Sequence, residues 1–186
     1  WKTPISDSQG HQALSSFKGD VYEAMKIEEF EENDIKFAQD HLRILSGLYG
    51  VIKASDLILP YRLEMGTKVH IRKHKNLYEF WKKTITEYLI KEIRDDMFII
   101  NLASNEYFKV IDKKRINTPI ITPIFKDKKN GKERVISFYA KRARGAMCNY
   151  IIKNKIVDYE SIKEFSSLDY RYDDSQSTTD NLVFVR

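Results

Sequence analysis

His41–Thr67, HLRILSGLYGVIKASDLILPYRLEMGT, is the stretch around which the rest of this 186-residue chain is organised. Ile35, Ala38, Leu42 and Leu45 form an apolar stripe at i, i+3, i+7 and i+10 that runs straight into Ser46-Gly47-Leu48-Tyr49-Gly50, with a second apolar run at Val51 and Ile52. The pattern predicts a helix, a tight turn and a second helix. Gly47 and Gly50 take positive φ without steric penalty, so a sharp turn there exposes backbone N–H groups, which at the start of a helix suit a phosphate oxygen. The plainer alternative is a helix C-cap and a change of direction. Further on, Tyr61, Arg62 and Glu64 follow Pro60, which holds the chain locally extended and limits how those polar groups point. His41 and Arg43 fall off the stripe and are placed to reach solvent or a ligand.

Upstream, residues 11–27 read as a helix interrupted or started around Lys18-Gly19-Asp20, and Asn33 or Asp34 is a suitable N-cap for the helix that delivers the chain to the glycine turn. Downstream, His70 and His74 stand at i, i+4, the spacing of two metal ligands on a helix. Val69-His70-Ile71 reads as strand, however, and no third ligand is evident, so no metal is assigned. Asn76 caps a helix over Leu77–Ile93 whose buried face carries Leu77, Phe80, Trp81, Ile85, Tyr88 and Leu89. Met97–Leu102, between Asp95-Asp96 and Ala103-Ser104, reads as a buried strand. Asn101, Ser104, Glu106, Tyr107 and Lys109 gather past its carboxyl end, where α/β sheets tend to place ligands; the alternative makes Ser104 an ordinary N-cap.

Ile120–Phe125 reads as a strand broken by Pro123 and therefore near an edge. Lys126–Lys132, containing Asn130-Gly131, is a hairpin signal with Val135–Tyr139 as the returning strand. A helix over Lys141–Asn154 then begins with Lys141, Arg142 and Arg144, the wrong sign for its dipole unless an anion sits there. A short helix at Ser161–Phe165 and a closing strand at Leu182–Val185, paired with the strand ending at Tyr139, complete the chain. The expected fold is α+β: a single domain over residues 1–186, a mixed β-sheet with flanking helices and the glycine turn described above.

Composition supports a globular chain, with 42% hydrophobic and 32% charged residues. Apolar runs are too short to cross a bilayer and no leader pattern opens the sequence, so a soluble, cytoplasmic protein without membrane partners is expected. The one cysteine, Cys148, leaves no internal disulfide framework, and its neighbours Met147, Tyr150 and Ile151 suggest a packed thiol. Net charge is +5 and unevenly spread: residues 1–40 hold four Lys/Arg against nine Asp/Glu, residues 68–83 six against one, and residues 126–144 eight against two. A concentrated positive field attracts polyanions, of which nucleic acid is the commonest in a cell. Solvated loops and helix faces are the competing explanation.

Taken as sets, five blocks are more specific than this grammar. LSGLYG with DLILPYRLEMGT, Phe17-Lys18-Gly19-Asp20-Val21-Tyr22, Asn101–Tyr107, Ile136–Gly145 and Val183-Phe184-Val185-Arg186 together resemble, in order, the signature of the YaaA-type peroxide-stress family. The resemblance implies an N-terminal strand and a Ser-Pro-Ala-Lys type motif ahead of Trp1, so an N-terminally shortened chain is expected. It also implies a DNA-binding protein of the peroxide response that limits oxidative DNA damage and keeps intracellular iron low. The Leu45–Val51 turn resembles a helix-hairpin-helix element, although Ser46 stands where proline is common and one extra residue separates the glycines.

Three functions compete. In the first, the partner is DNA, duplex or repair intermediate, gripped without sequence preference in a basic cleft by Lys18, Arg43, Gly47, Tyr49, Gly50, Arg62, Ser104, Lys109, Lys141, Arg142 and Arg144. Tyr49, Tyr107 and Tyr139 are candidates to stack on unpaired bases, or else core residues. In the second, Glu64 and Glu106 with Lys18 and Arg62 hydrolyse a glycosidic bond on a flipped nucleotide, no cofactor being required. In the third the protein binds iron directly, for which four histidines and one cysteine give little support.

Overall fold

The structure, a computed structural model, describes residues 10–94, 97–129 and 131–186. In chain order its elements are β1 (His11–Gln12), α1 (Ala13–Ser16), α2 (Asp20–Met25), α3 (Glu32–His41), β2 (Ile44–Ser46), β3 (Gly50–Ile52), β4 (Leu57–Ile58) and α4 (Leu77–Glu92). There follow β5 (Ile99–Ile100), α5 (Asn105–Phe108), β6 (Ile120–Lys129), β7 (Lys132–Arg134), α6 (Ser137–Lys153), α7 (Tyr159–Lys163), β8 (Arg171–Tyr172) and β9 (Asn181–Val185). This is a mixed α and β protein, as expected. Its chain divides into two compact units. The first takes the chain up to Ser16, Ala38–Phe98 and Ala103–Pro119; the second takes Phe17–Phe37, Ile99–Leu102 and Ile120–Arg186.

In the first unit the glycine turn departs from the expected helix-hairpin-helix. α3 ends at His41, with Leu42 N–H still bonded to Ala38 C=O at 2.8 Å, and the chain then pairs antiparallel with itself: Ile44 with Ile52, Leu45 with Val51, Ser46 with Gly50. Burial alternates along both strands, with Ile44, Ser46, Gly50 and Ile52 inside. The β-branched residues at 44, 51 and 52 favour this two-residue period over the helical one. Gly50 supplies the positive φ, 80°, that the turn needs. α4 forms where expected, and Asn76 caps it by accepting the Glu79 N–H at 2.9 Å, but of the expected buried face only Leu77 and Ile85 are buried, with Thr86, while Phe80, Trp81, Tyr88 and Leu89 are half-buried. His70 and His74 lie outside any helix, in a turn closed by an Ile71–His74 bridge, and His74 packs edge-on to Phe80.

The second unit is built on a five-stranded mixed sheet in the order β5-β6-β9-β8, with β7 on β6. Pro123 does not break β6, which runs unbroken over ten residues. Thr122 and Lys128 N–H groups donate to the carbonyls of Asp180 and Arg186, which flank β9, whereas odd-numbered positions face the side of β5 and β7. Pairing with β5 stops at Ile121 and pairing with β7 starts at Asp127, so the N–H that Pro123 lacks would face a gap in the ladder. Two other expectations fail here. The returning hairpin strand is Lys132–Arg134, not Val135–Tyr139, and the closing strand β9 pairs parallel with β6 and antiparallel with β8. Asn130 of the hairpin tip and the Asp95-Asp96 boundary lie outside the described residues. The strand expected over Met97–Leu102 is reduced to Ile99–Ile100 and is half-buried. Phe125, Phe165, Tyr170 and Phe184 form the core, with Phe125 ring centroids 5.2 to 5.9 Å from the other three.

α6 starts at Ser137, four residues before the expected Lys141. Lys141, Arg142 and Arg144 therefore sit beyond the first turn, and the dipole conflict that pointed to an anion at the helix start does not arise. α3 likewise begins at Glu32, and Asp34, third in the helix, reaches back to accept the Glu31 N–H at 3.0 Å. The last helix, α7, starts two residues early because Asp158 caps it, accepting the Ser161 N–H at 2.9 Å. Among the described residues no helix is long and apolar enough to cross a membrane.

Candidate functional site

Four of the five blocks singled out in the sequence fall within one unit or the other, and Asn101–Tyr107 is divided between the two. In the first unit, the loop 60–67 lies directly against the β2–β3 turn. A Cβ added to Gly47 would stand 2.4 Å from the Leu63 carbonyl oxygen, and one on Gly50 would stand 2.8 Å from the Trp81 ring. Ser46 is fully buried, and its Oγ accepts the N–H groups of Tyr49 at 2.9 Å and Leu48 at 3.2 Å while lying 2.5 Å from the Tyr61 hydroxyl. Trp81 Nε1 donates to the Gly47 carbonyl at 2.9 Å. The amides that the helix-hairpin-helix reading offered to a phosphate are therefore spent inside the protein, and Gly47 and Gly50 are packing glycines. Tyr49 is held as well: its hydroxyl accepts the Leu59 N–H at 3.0 Å and its ring meets Tyr61 edge-on.

The same cluster takes in α5. Glu106 Oε1 accepts the Gly66 N–H at 2.9 Å, and the Glu106 carbonyl accepts from the Tyr78 hydroxyl at 3.0 Å. Burial pushes the Tyr107 phenol up to about 12, with Glu106, Tyr61 and Glu64 adding to the shift. Both candidate carboxylates thus act on one half-buried tyrosine. Glu64 and Arg62 are exposed, and neither has an ion-pair partner among the described residues. Ser104 occupies the N-cap position of α5 without a side-chain cap bond, and Lys109 Nζ lies 5.4 Å from the centre of the Tyr78 ring. Arg43 is structural: it reaches Glu92 at 2.5 Å and the carbonyls of Gln39 and Leu42 at 3.1 and 2.9 Å, with 15% of its side chain exposed. Lys53 shares Glu92, whose carboxyl is held down at about 2 by its bonds to Lys53 and Arg43.

In the second unit, α2 lies so close to α6 that a Cβ on Gly145 would stand 2.0 Å from the Val21 carbonyl oxygen. Asn149 Nδ2 donates to the Met25 carbonyl at 2.8 Å, and the Asp34 carboxylate takes Lys153 at 2.8 Å together with Lys155. Lys18 is exposed just ahead of α2. Cys148 of α6 is buried, and burial pushes its thiol up to about 12, so it stays protonated and inert near neutral pH.

Where β7 meets α6, the chemistry is different. Both acids of residues 126–144 are occupied: Asp127 accepts the Tyr170 hydroxyl at 3.0 Å and Arg186 Nε at 2.5 Å, and Glu133 accepts Gln176 Nε2 at 2.8 Å. Among the described residues Lys128, Lys129, Lys132, Arg134, Lys141, Arg142 and Arg144 have no carboxylate partner. Arg144 is half-buried, and burial lowers its pKa. An open depression of about 470 Å³ lies between Lys129 and Arg134 of the hairpin and Phe138 and Tyr139 of α6. Uncompensated cations repel one another, so a cluster of them costs stability unless a polyanion answers it.

Of the DNA-binding candidates, Lys141, Arg142, Arg144 and Lys18 belong to this second unit, and Arg43, Gly47, Tyr49, Gly50, Arg62, Ser104 and Lys109 to the first. Lys129, Arg134, Phe138 and Arg186, which stand at the same junction of the second unit, are not among those candidates. The basic run was visible in the sequence, but the exposure of the rings followed only once α6 was seen to start at Ser137.

A family model described as peroxide stress protein YaaA matches residues 1–176 of the chain. A protein of Colwellia psychrerythraea, named as an UPF0246 protein, is 48% identical over 188 aligned positions, covering 100% of this chain and 73% of that protein.

Proposed function

This chain belongs to the YaaA peroxide stress protein family, and on that premise we propose that it serves the peroxide response by binding DNA through its phosphates, without sequence preference, at the β7–α6 junction. One observation carries this reading: among the described residues, seven lysines and arginines of the hairpin and α6 lack carboxylate partners, while the two acids among them bond to Tyr170, Arg186 and Gln176. Lys and Arg side chains that meet backbone phosphates release condensed counterions, which makes affinity fall steeply with salt. On this reading it works in the cytoplasm, on duplex or repair-intermediate DNA. The reading includes a part in keeping intracellular iron low, as the family resemblance implies.

Fluorescence anisotropy of a labelled duplex across a salt series tests the proposal. Log affinity is expected to fall with log salt by about 0.9 per phosphate neutralised, and Lys129→Glu with Arg134→Glu, or Lys141→Glu with Arg142→Glu, to flatten that slope by roughly one to two. Affinity that ignores salt, or that survives both double reversals, overturns it.

The first unit favours a second reading. Glu64 and Glu106 both bear on Tyr107, with exposed Arg62 in the same loop, a set of groups suited to acid–base hydrolysis of a glycosidic bond in a nucleotide. Base release that disappears in Glu64→Gln would establish it; no release from any DNA tested would remove it.

A further inference from the structure

Two aromatic rings stand in the open at the start of α6. Ala140, Ala143 and Met147 form the helix's buried stripe, and Phe138 and Tyr139 fall off it, 51% and 39% exposed. Val135, just ahead of the helix, is also 51% exposed. Scattered apolar residues at a surface are ordinary, but three within five positions, beside a run of unpaired cations, are not. The rings are 5.5 Å apart, centroid to centroid, and inclined at 64°. Each has its own cation: the Arg142 guanidinium is 5.9 Å from the centre of Phe138, and that of Arg186 is 4.1 Å from the centre of Tyr139. Arg186 is fixed there by Asp127, so it braces Tyr139 from one face while the residue stays 39% exposed.

We propose that Phe138 and Tyr139 are a stacking platform for unpaired DNA bases, so that this junction prefers single-stranded or locally opened DNA to intact duplex. The inference rests on the phosphate-binding reading above and adds to it. Every nucleobase has a flat face to lay on an aromatic ring, whatever its sequence, whereas a paired base has both faces covered by its neighbours. The cations flanking the rings, Lys129, Arg134 and Arg142, then hold the phosphates on either side.

The test compares three labelled probes on the full chain: oligo(dT) of about 15 nucleotides, a duplex of that length, and an abasic strand with the same phosphates and no bases. Oligo(dT) is expected to bind roughly ten- to hundred-fold more tightly than the abasic strand. Phe138→Ala with Tyr139→Leu erases that difference and leaves duplex affinity within about twofold. Phe138→Leu, which keeps an apolar side chain of similar bulk and removes only the ring, guards against a folding effect and is expected to lose most of the preference on its own. If oligo(dT) and the abasic strand bind alike in the unaltered chain, or if the preference survives these substitutions while duplex binding stays salt-sensitive, the platform is wrong and the phosphate reading stands. Absence of binding to all three probes removes both.

Discussion

Gly47→Ala separates a glycine that faces a phosphate from one that only makes room. The φ of Gly47 is not positive, so alanine is allowed there by the backbone and the whole effect is steric. Its Cβ would lie 2.4 Å from the Leu63 carbonyl oxygen and 3.1 and 3.2 Å from the carbonyl carbons of Leu63 and Glu64, whereas ordinary contact begins at 3.4 Å. The loop 60–67 must therefore retreat by about 1 Å, straining the Tyr61–Ser46 and Gly66–Glu106 hydrogen bonds that hold it. Overpacking of this kind costs about 1–3 kcal/mol. At about 2–4 °C per kcal/mol for a chain of this size, the melting temperature should drop by roughly 2–12 °C. Differential scanning calorimetry reads the drop, and anisotropy at a temperature where both proteins are folded should find DNA affinity unchanged within about twofold. A Gly47→Ala protein that is as stable as the parent and has lost DNA binding would refute the packing argument and restore the phosphate-binding turn.

Gly145→Ala should also destabilise: helix propensity favours alanine by about 1 kcal/mol, but a Cβ 2.0 Å from the Val21 carbonyl forces α2 off α6, and a melting temperature that rises would contradict this. The Asp34 and Glu92 carboxyls are held well below the usual carboxylate range by their lysine and arginine partners. Their contribution to stability is full above the unfolded-state pKa values near about 4 and is lost as pH falls through the lower folded values. Urea midpoints measured between about pH 7 and pH 2 should fall steadily at the acid end, and Asp34→Asn should start lower and fall less; parallel curves would show that Asp34 is uncoupled from folding. Cys148 should resist thiol reagents and hydrogen peroxide in the native protein and react quickly in denaturant, so rapid native labelling would contradict its burial.

Local chemistry made some elements legible. Asn76 followed by a strong apolar stripe announced α4, because a cap and its helix lie within a few residues of one another. α6 was misplaced because it has no such announcement: Ile136 stands at its N-cap and makes no side-chain cap bond. The β2–β3 hairpin was misread because Leu42 and Leu45 satisfied a helical period that ended at His41, while Ile44 and Ile52, paired across the two strands, carry the burial. Pro123 misled for a different reason. Its tolerance depends on which strands lie beside β6 at that level, and those come from positions 99–100, 132–134 and 181–185. In the candidate site the cationic run was plain from composition. The freedom of those cations, and the exposure of Phe138 and Tyr139, depend on Asp127 and Glu133 being claimed by Tyr170, Arg186 and Gln176, partners more than forty residues away.

The chain changes unit five times, after residues 16, 37, 98, 102 and 119. No single protease nick can release either unit as an uninterrupted fragment, and neither could be gained or lost by the fusion or trimming of one stretch of gene. Deleting β5, a strand of only two residues, would take an edge from one sheet and also shorten from four residues to two the link between two segments of the other unit. Damage anywhere is thus shared, and such a chain is suited to being kept or discarded whole.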